Sequence, residues 1–193
     1  MNVNPSNQSK LYGHEDHLNA LIKLYNKNNL PNKILFSGEK GIGKSTLAYH
    51  LINSILSSGE EHPYDLKNFN INLENKTFKL IQNKSNPNFI LIDVNEEKKK
   101  IEINQIRNLI SILNKSSFNT KPRFILLDNI ELLNINSVNA LLKILEEPSD
   151  KINFILINNN KKVLQTLKSR CLNFKISLTH EQSINITNKI LKI

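Results

Sequence analysis

Gly38-Glu39-Lys40-Gly41-Ile42-Gly43-Lys44-Ser45 decides the fold. The stretch fits the spacing G-x-x-x-x-G-K-[ST], in which glycines let backbone N–H groups turn inward around phosphate oxygens. Lys44 is then placed to reach the β- and γ-phosphates of a nucleotide, and the Ser45 hydroxyl to ligate Mg2+. Three of the chain's five glycines fall inside this one loop, which a chance Gly-rich turn would not explain. In front of it stands Lys33–Ser37 (KILFS), a short buried strand. Behind it a helix is predicted from about Lys44 to Leu56, adding the positive end of its dipole to the phosphate site.

Outward from the loop, apolar runs alternate with helical patterns. Leu18, Leu21, Ile22 and Leu24 follow Glu15-Asp16 at near-helical spacing and predict an amphipathic first helix, ended by Asn28–Asn32 with its Pro31. Ser57–Lys84 is polar and weakly patterned, a long connection with room for small elements. Strands are predicted at 88–94 (NFILIDV), 123–128 (RFILLD), 153–158 (NFILIN) and 171–176 (CLNFKI). Helices are predicted at about 104–114, 136–147 (stopped by Pro148), 163–168 and from His180 to the end. In the 136–147 helix, Val138, Leu141, Leu142 and Leu145 are core by spacing. Continuous apolar strands separated by helices argue for an α/β fold, a parallel five-stranded sheet covered on both faces.

The 193 residues, 39% of them hydrophobic, are enough for one sizeable core. No apolar run reaches the roughly 18 residues that span a bilayer, so a cytoplasmic protein with no membrane partner is expected. A single Cys leaves no internal disulfide and no cysteine-based zinc site. The net charge of +9 points to an anionic partner such as nucleic acid, but a chain so rich in Lys, Asn and Ile could also have drifted there by composition. Charge alone does not choose. Arg is more informative, because only Arg107, Arg123 and Arg170 occur in a chain that otherwise uses Lys.

A Mg2+ site at the loop needs an acidic support at the end of a neighbouring strand. Asp128 closes the run Phe124-Ile125-Leu126-Leu127 and is favoured on chain order; Asp93 closes a similar run and is its rival. Either could also be a strand-ending Asp that caps a turn. A hydrolase would usually place a carboxylate beside Asp128, and here Asn129 stands there. An amide can orient water but cannot take its proton, so slow hydrolysis or none is expected unless Glu131 substitutes.

Four passages bring a family into view. Leu11-Tyr12-Gly13-His14 resembles the N-terminal box that contacts adenine, and Gly38–Thr46 with Leu47-Ala48 the phosphate loop, of the AAA+ subunits of bacterial clamp loaders. Asn139-Ala140-Leu141-Leu142-Lys143-Ile144-Leu145-Glu146-Glu147-Pro148 is close to their most recognisable string, and Ser169-Arg170-Cys171 matches their SRC motif. The delta-prime kind is the most similar. The resemblance implies a P-loop AAA+ core over residues 1–178 and, in 179–193, a helical lid only begun. It implies ATP held by Gly38, Gly41, Ile42, Gly43, Lys44, Ser45 and Thr46, Mg2+ by Ser45 and Asp128, and a γ-phosphate sensor at Asn158, an assignment blurred by the neighbouring Asn159 and Asn160. It further implies an arginine finger at Arg170, acting in trans on a neighbouring subunit's ATP, and DNA-facing positions at Arg107 and Lys143. Cys171 reads as a small buried residue, since no His lies near it in sequence. The implied partners are the other loader subunits (gamma/tau and delta), a sliding clamp and primed DNA. Many relatives carry a cysteine-ligated zinc module after the loop helix; that region here has no Cys, so no zinc is expected. Alternatives are a hydrolysing motor subunit of the gamma/tau type and, more remotely, a stand-alone P-loop kinase.

Overall fold

The computed structural model describes residues 4–95, 98–113, 119–146, 151–159, 163 and 165–191. After a 3-10 turn at Pro5–Asn7, the elements in chain order are α1 (Glu15–Asn26), β1 (Lys33–Ser37), α2 (Lys44–Leu56), α3 (Lys76–Gln82), β2 (Phe89–Ile92) and α4 (Ile103–Leu113). Then come β3 (Arg123–Leu127), a second 3-10 turn at Ile130–Leu132, α5 (Ile135–Glu146), β4 (Ile152–Asn158), α6 (Gln165–Lys168), β5 (Leu172–Lys175) and α7 (His180–Leu191). They divide into two compact units.

One unit, Pro31–Lys40 with Asn86–Lys175, holds the five-stranded sheet in the order β2-β3-β4-β1-β5, every neighbouring pair parallel. The uninterrupted apolar runs have a plain cause. All of β3 and most of β1 and β4 are buried, so side chains on both faces of these strands must be apolar. The edge strands β2 and β5 come out shorter than their apolar runs and are more exposed. Ile106, Leu109, Val138, Leu141 and Leu145 of α4 and α5 pack on Leu35, Ile125, Leu127 and Leu156 of the sheet. Leu142, expected in the core, is only partly buried against it, because the packed stripe follows positions 138, 141 and 145. The expected helix stop at Glu147-Pro148 lies outside the described residues.

The other unit comprises Met1–Leu30, Gly41–Ser85 and Ile176–Ile193. Its centre is α2, in which Leu47, Ala48, Leu51 and Ile52 are fully buried. His50, also fully buried on α2, shares a hydrogen bond with Gln8 O at 3.1 Å and one with Tyr64 Oη at 2.8 Å. A carbonyl only accepts, so Nε2 carries the hydrogen and Nδ1 accepts from the tyrosine. Burial pushes this imidazole down to about 4 and keeps it neutral. The weakly patterned segment after α2 is ordered by polar contacts. Asn53 donates to Asn75 Oδ1 at 3.0 Å; the Asn75 amide donates to His62 O at 2.6 Å, and its oxygen caps α3 at Phe78 N at 2.7 Å. Glu60 accepts from both the backbone and the hydroxyl of Thr77.

Candidate nucleotide-binding site

The loop Gly38–Gly43 carries the chain from β1 into α2. Gly41 and Gly43 take φ of 86° and 91°, a left-handed backbone that side-chain-bearing residues rarely adopt. Gly43 also faces the His14 ring, whose Cδ2 and Nε2 would lie 3.3 Å from a Cβ there. The helix starts at Lys44 with no side-chain cap at Gly43, and Lys44 is 3% exposed.

His14 anchors the loop. It is 1% exposed, and its Nε2 donates to the carbonyl of Ile42 at 2.5 Å. Burial lowers its pKa and favours the neutral ring. A cavity of about 420 Å³ opens beside it, lined by Leu11, Tyr12 and His14, by Gly41, Ile42, Gly43 and Thr46, and by Leu178, Ser183, Ile186 and Thr187. Leu11, Tyr12 and His14 of the N-terminal box and Gly41–Gly43 of the phosphate loop thus line one cavity within this unit. Ser183, Ile186 and Thr187 share one face of α7, and this mixed polar face forms a wall of the cavity that the sequence does not announce. Gly13, at φ 76°, lets Ile186 approach its backbone more closely than any Cβ would allow.

In the sheet unit, Asp93 and Asp128 follow the paired residues Ile92 and Leu127 at the ends of β2 and β3. Asn129 takes a left-handed backbone, φ 56° and ψ 44°, and its amide is engaged at both ends. It donates to Asp93 Oδ1 at 2.8 Å and accepts from Asn159 Nδ2 at 2.8 Å. Asn159 also donates to Glu131, from Nδ2 at 2.9 Å and from its backbone at 3.3 Å. Asp93 accepts from Val94 N at 2.6 Å, and Asp128 accepts from Asn129 N at 2.8 Å. A belt Asp93–Asn129–Asn159–Glu131 therefore crosses the ends of β2, β3 and β4. Asn158 is buried at the last position of β4, paired with Ser37; of the asparagine run, Asn159 reaches the belt, and Asn160 lies outside the described residues.

Arg170 sits in the turn after α6. Its Nε and Nη2 donate to Glu146 Oε1 at 3.1 and 2.5 Å, and its Nη1 to Thr166 O at 3.0 Å. Cys171 is half-buried, and burial pushes its thiol up to about 11. Arg107 and Lys143 are exposed on α4 and α5. Among the described residues no group of three or more His, Cys, Asp or Glu could hold a metal ion, and no helix is long and apolar enough to cross a membrane.

Comparison with known proteins gives the family. Solved structures share the fold: a gamma-subunit-related protein of DNA polymerase III from Thermotoga maritima (TM-score 0.53, 17% identity, covering 89% of this chain and 49% of that one) and the RuvB Holliday junction branch migration motor from the same organism (TM-score 0.56, 14% identity, 98% and 56%). Both likenesses are of fold. In sequence the chain is 31% identical over 191 residues to DNA polymerase III subunit gamma of Buchnera aphidicola subsp. Schizaphis graminum, covering 97% of this chain and 50% of the relative. It is 32% identical over 139 residues to DNA polymerase III subunit delta' of Pseudomonas aeruginosa, covering 72% and 40%. The chain thus spans half or less of the length of these relatives. The model of the family described as DNA polymerase III, delta subunit, matches residues 13–180. The chain belongs to that family.

Proposed function

We propose that the chain is a clamp-loader subunit of the delta-prime kind, which binds ATP with Mg2+, hydrolyses it little or not at all, and serves the ATP site of a neighbouring subunit through Arg170. It would work with the other loader subunits, a sliding clamp and primed DNA. The chemistry of the residues fits the nucleotide. Left-handed Gly41 and Gly43, the buried Lys44 at the start of α2 and the adjoining cavity suit phosphates followed by a base and ribose. Lys44 would neutralise phosphate charge and the Ser45 hydroxyl would ligate Mg2+, with Asp128 as acidic support on sequence grounds. Mg2+, when bound, would supply charge neutralisation at the phosphates.

The observation that carries the reading is the engaged amide of Asn129. A water-activating group at that position must accept a proton, and an amide with both ends already hydrogen-bonded neither accepts one nor turns toward water. The test is binding and turnover on the same protein: titration with ATP and Mg2+, then phosphate release. Binding that is lost in Lys44→Ala, with negligible release, supports the proposal. Steady turnover by the chain alone, abolished in Lys44→Ala, favours the motor-subunit alternative, which the alignment to a gamma subunit over 97% of the chain keeps in view.

A further inference from the structure

Two motifs recognisable in the sequence, the string ending in Leu145-Glu146 and the tripeptide Ser169-Arg170-Cys171, meet through one ion pair. Glu146 closes α5, and Arg170 lies 24 residues further along the chain, in the turn that follows α6. Nothing in the phosphate-loop chemistry uses Glu146.

The geometry of the contact is specific. A guanidinium has five N–H donors distributed over three nitrogens. Glu146 Oε1 accepts from Nε at 3.1 Å and from Nη2 at 2.5 Å, which occupies the side edge of the fork. The carbonyl of Thr166, one turn back, accepts from Nη1 at 3.0 Å. Among the described residues three donors are committed, and the two others belong one each to Nη1 and Nη2. Those are the nitrogens that would meet an incoming anion. The arginine is thus gripped along its side while keeping its charge and one donor on each terminal nitrogen.

We propose that Glu146 is the positioning residue of Arg170: it fixes the guanidinium within its own subunit so that the Nη1 and Nη2 donors stand ready for a phosphate on a neighbouring subunit. This rests on the finger reading of Arg170 above. The physical gain is entropic. A free arginine loses rotamer freedom when it is pinned at the moment of use, and a standing carboxylate contact removes part of that loss beforehand. The pair is 35% exposed on the arginine side and 55% on the glutamate side, so it is a modest contact that a bound phosphate can share without breaking a deeply buried bridge. A latch that withheld the arginine would instead occupy the terminal edge of the fork.

The experiment is a double-mutant cycle on the assembled loader, with ATP turnover as readout, for wild type, Glu146→Ala, Arg170→Ala and the double variant. Glu146→Ala should lower kcat by about two- to fivefold, the range an exposed ion pair supplies, leave the KM for ATP unchanged, and have no further effect once Arg170 is gone. Glu146→Gln, which keeps an acceptor oxygen, should fall in between. In the isolated chain, exchange of the Arg170 Nε–H with solvent, followed by NMR, should speed up severalfold in Glu146→Ala. Three outcomes overturn the proposal: faster turnover in Glu146→Ala, unchanged turnover in Glu146→Ala where Arg170→Ala is impaired, or an equal loss from Glu146→Ala in the Arg170→Ala background. If Arg170→Ala itself leaves turnover unchanged, the finger reading falls and the positioning role falls with it; the exchange measurement still shows separately whether Glu146 holds the arginine.

Discussion

The amide of Asn129 donates to Asp93 Oδ1 at 2.8 Å and so joins the ends of β3 and β2. The position beside Asp128 is for that reason part of a hydrogen-bonded belt. Replacing Asn129 by Glu would set a second carboxylate against Asp93, and like charges at that distance repel. Asn129→Glu alone is expected to gain no hydrolysis and to lose about 1 kcal/mol of stability. Adding Asp93→Asn should restore the stability. Urea denaturation of the two variants checks this; a single variant as stable as wild type would contradict it.

Leu141, fully buried between α5 and the sheet, belongs to the core that fixes the strand ends in place. Leu141→Ala should cost about 3 kcal/mol through lost burial and the cavity left behind. Thermal denaturation measures it, and a change below 1 kcal/mol would show that the core relaxes around the gap.

His50 makes stability depend on pH. Its pKa falls from 6.5 to about 4 in the fold, so between those values the unfolded chain binds a proton that the native chain does not. Stability is then full above about pH 6.5 and declines as pH falls toward 4, by on the order of 3 kcal/mol. A His50→Gln variant should lie lower overall but show a flatter pH profile. An equally steep profile would assign the effect to other groups.

Gly13 carries α7. At φ 76° an alanine is strained, and its Cβ would collide with Ile186 and press on Leu178. Gly13→Ala is expected to destabilise by about 1–2 kcal/mol and to raise amide exchange across His180–Leu191 selectively. Uniform exchange changes would argue against a local role.

The sequence made the sheet legible because β1, β3 and β4 are buried on both faces and so cannot hide their apolar runs. The phosphate loop was legible because its left-handed turns demand glycine at 41 and 43. The segment after α2 was opaque because Asn53, Glu60, Asn75 and Thr77 hold it by polar pairs that leave no periodic trace. The belt was hidden for a related reason. Asp93, Asn129 and Asn159 lie far apart in sequence and meet only where three strands end side by side. Asn158 drew attention as the strand tip, while Asn159, one residue on, makes the cross-strand contacts. The α7 wall depends on which helix face packs inward, which a helix of mixed polar composition does not announce.

The central claim is that this chain serves a neighbour's nucleotide more than its own. The most direct measurement is ATP turnover by the loader assembled from its partner subunits with wild-type chain or with Arg170→Ala. A fall in kcat of about a thousandfold at the neighbouring site, the scale of a lost arginine finger, with assembly and this chain's own ATP binding intact, is the predicted result. Unchanged turnover with Arg170→Ala, or failure of the wild-type chain to join a loader at all, would contradict the account.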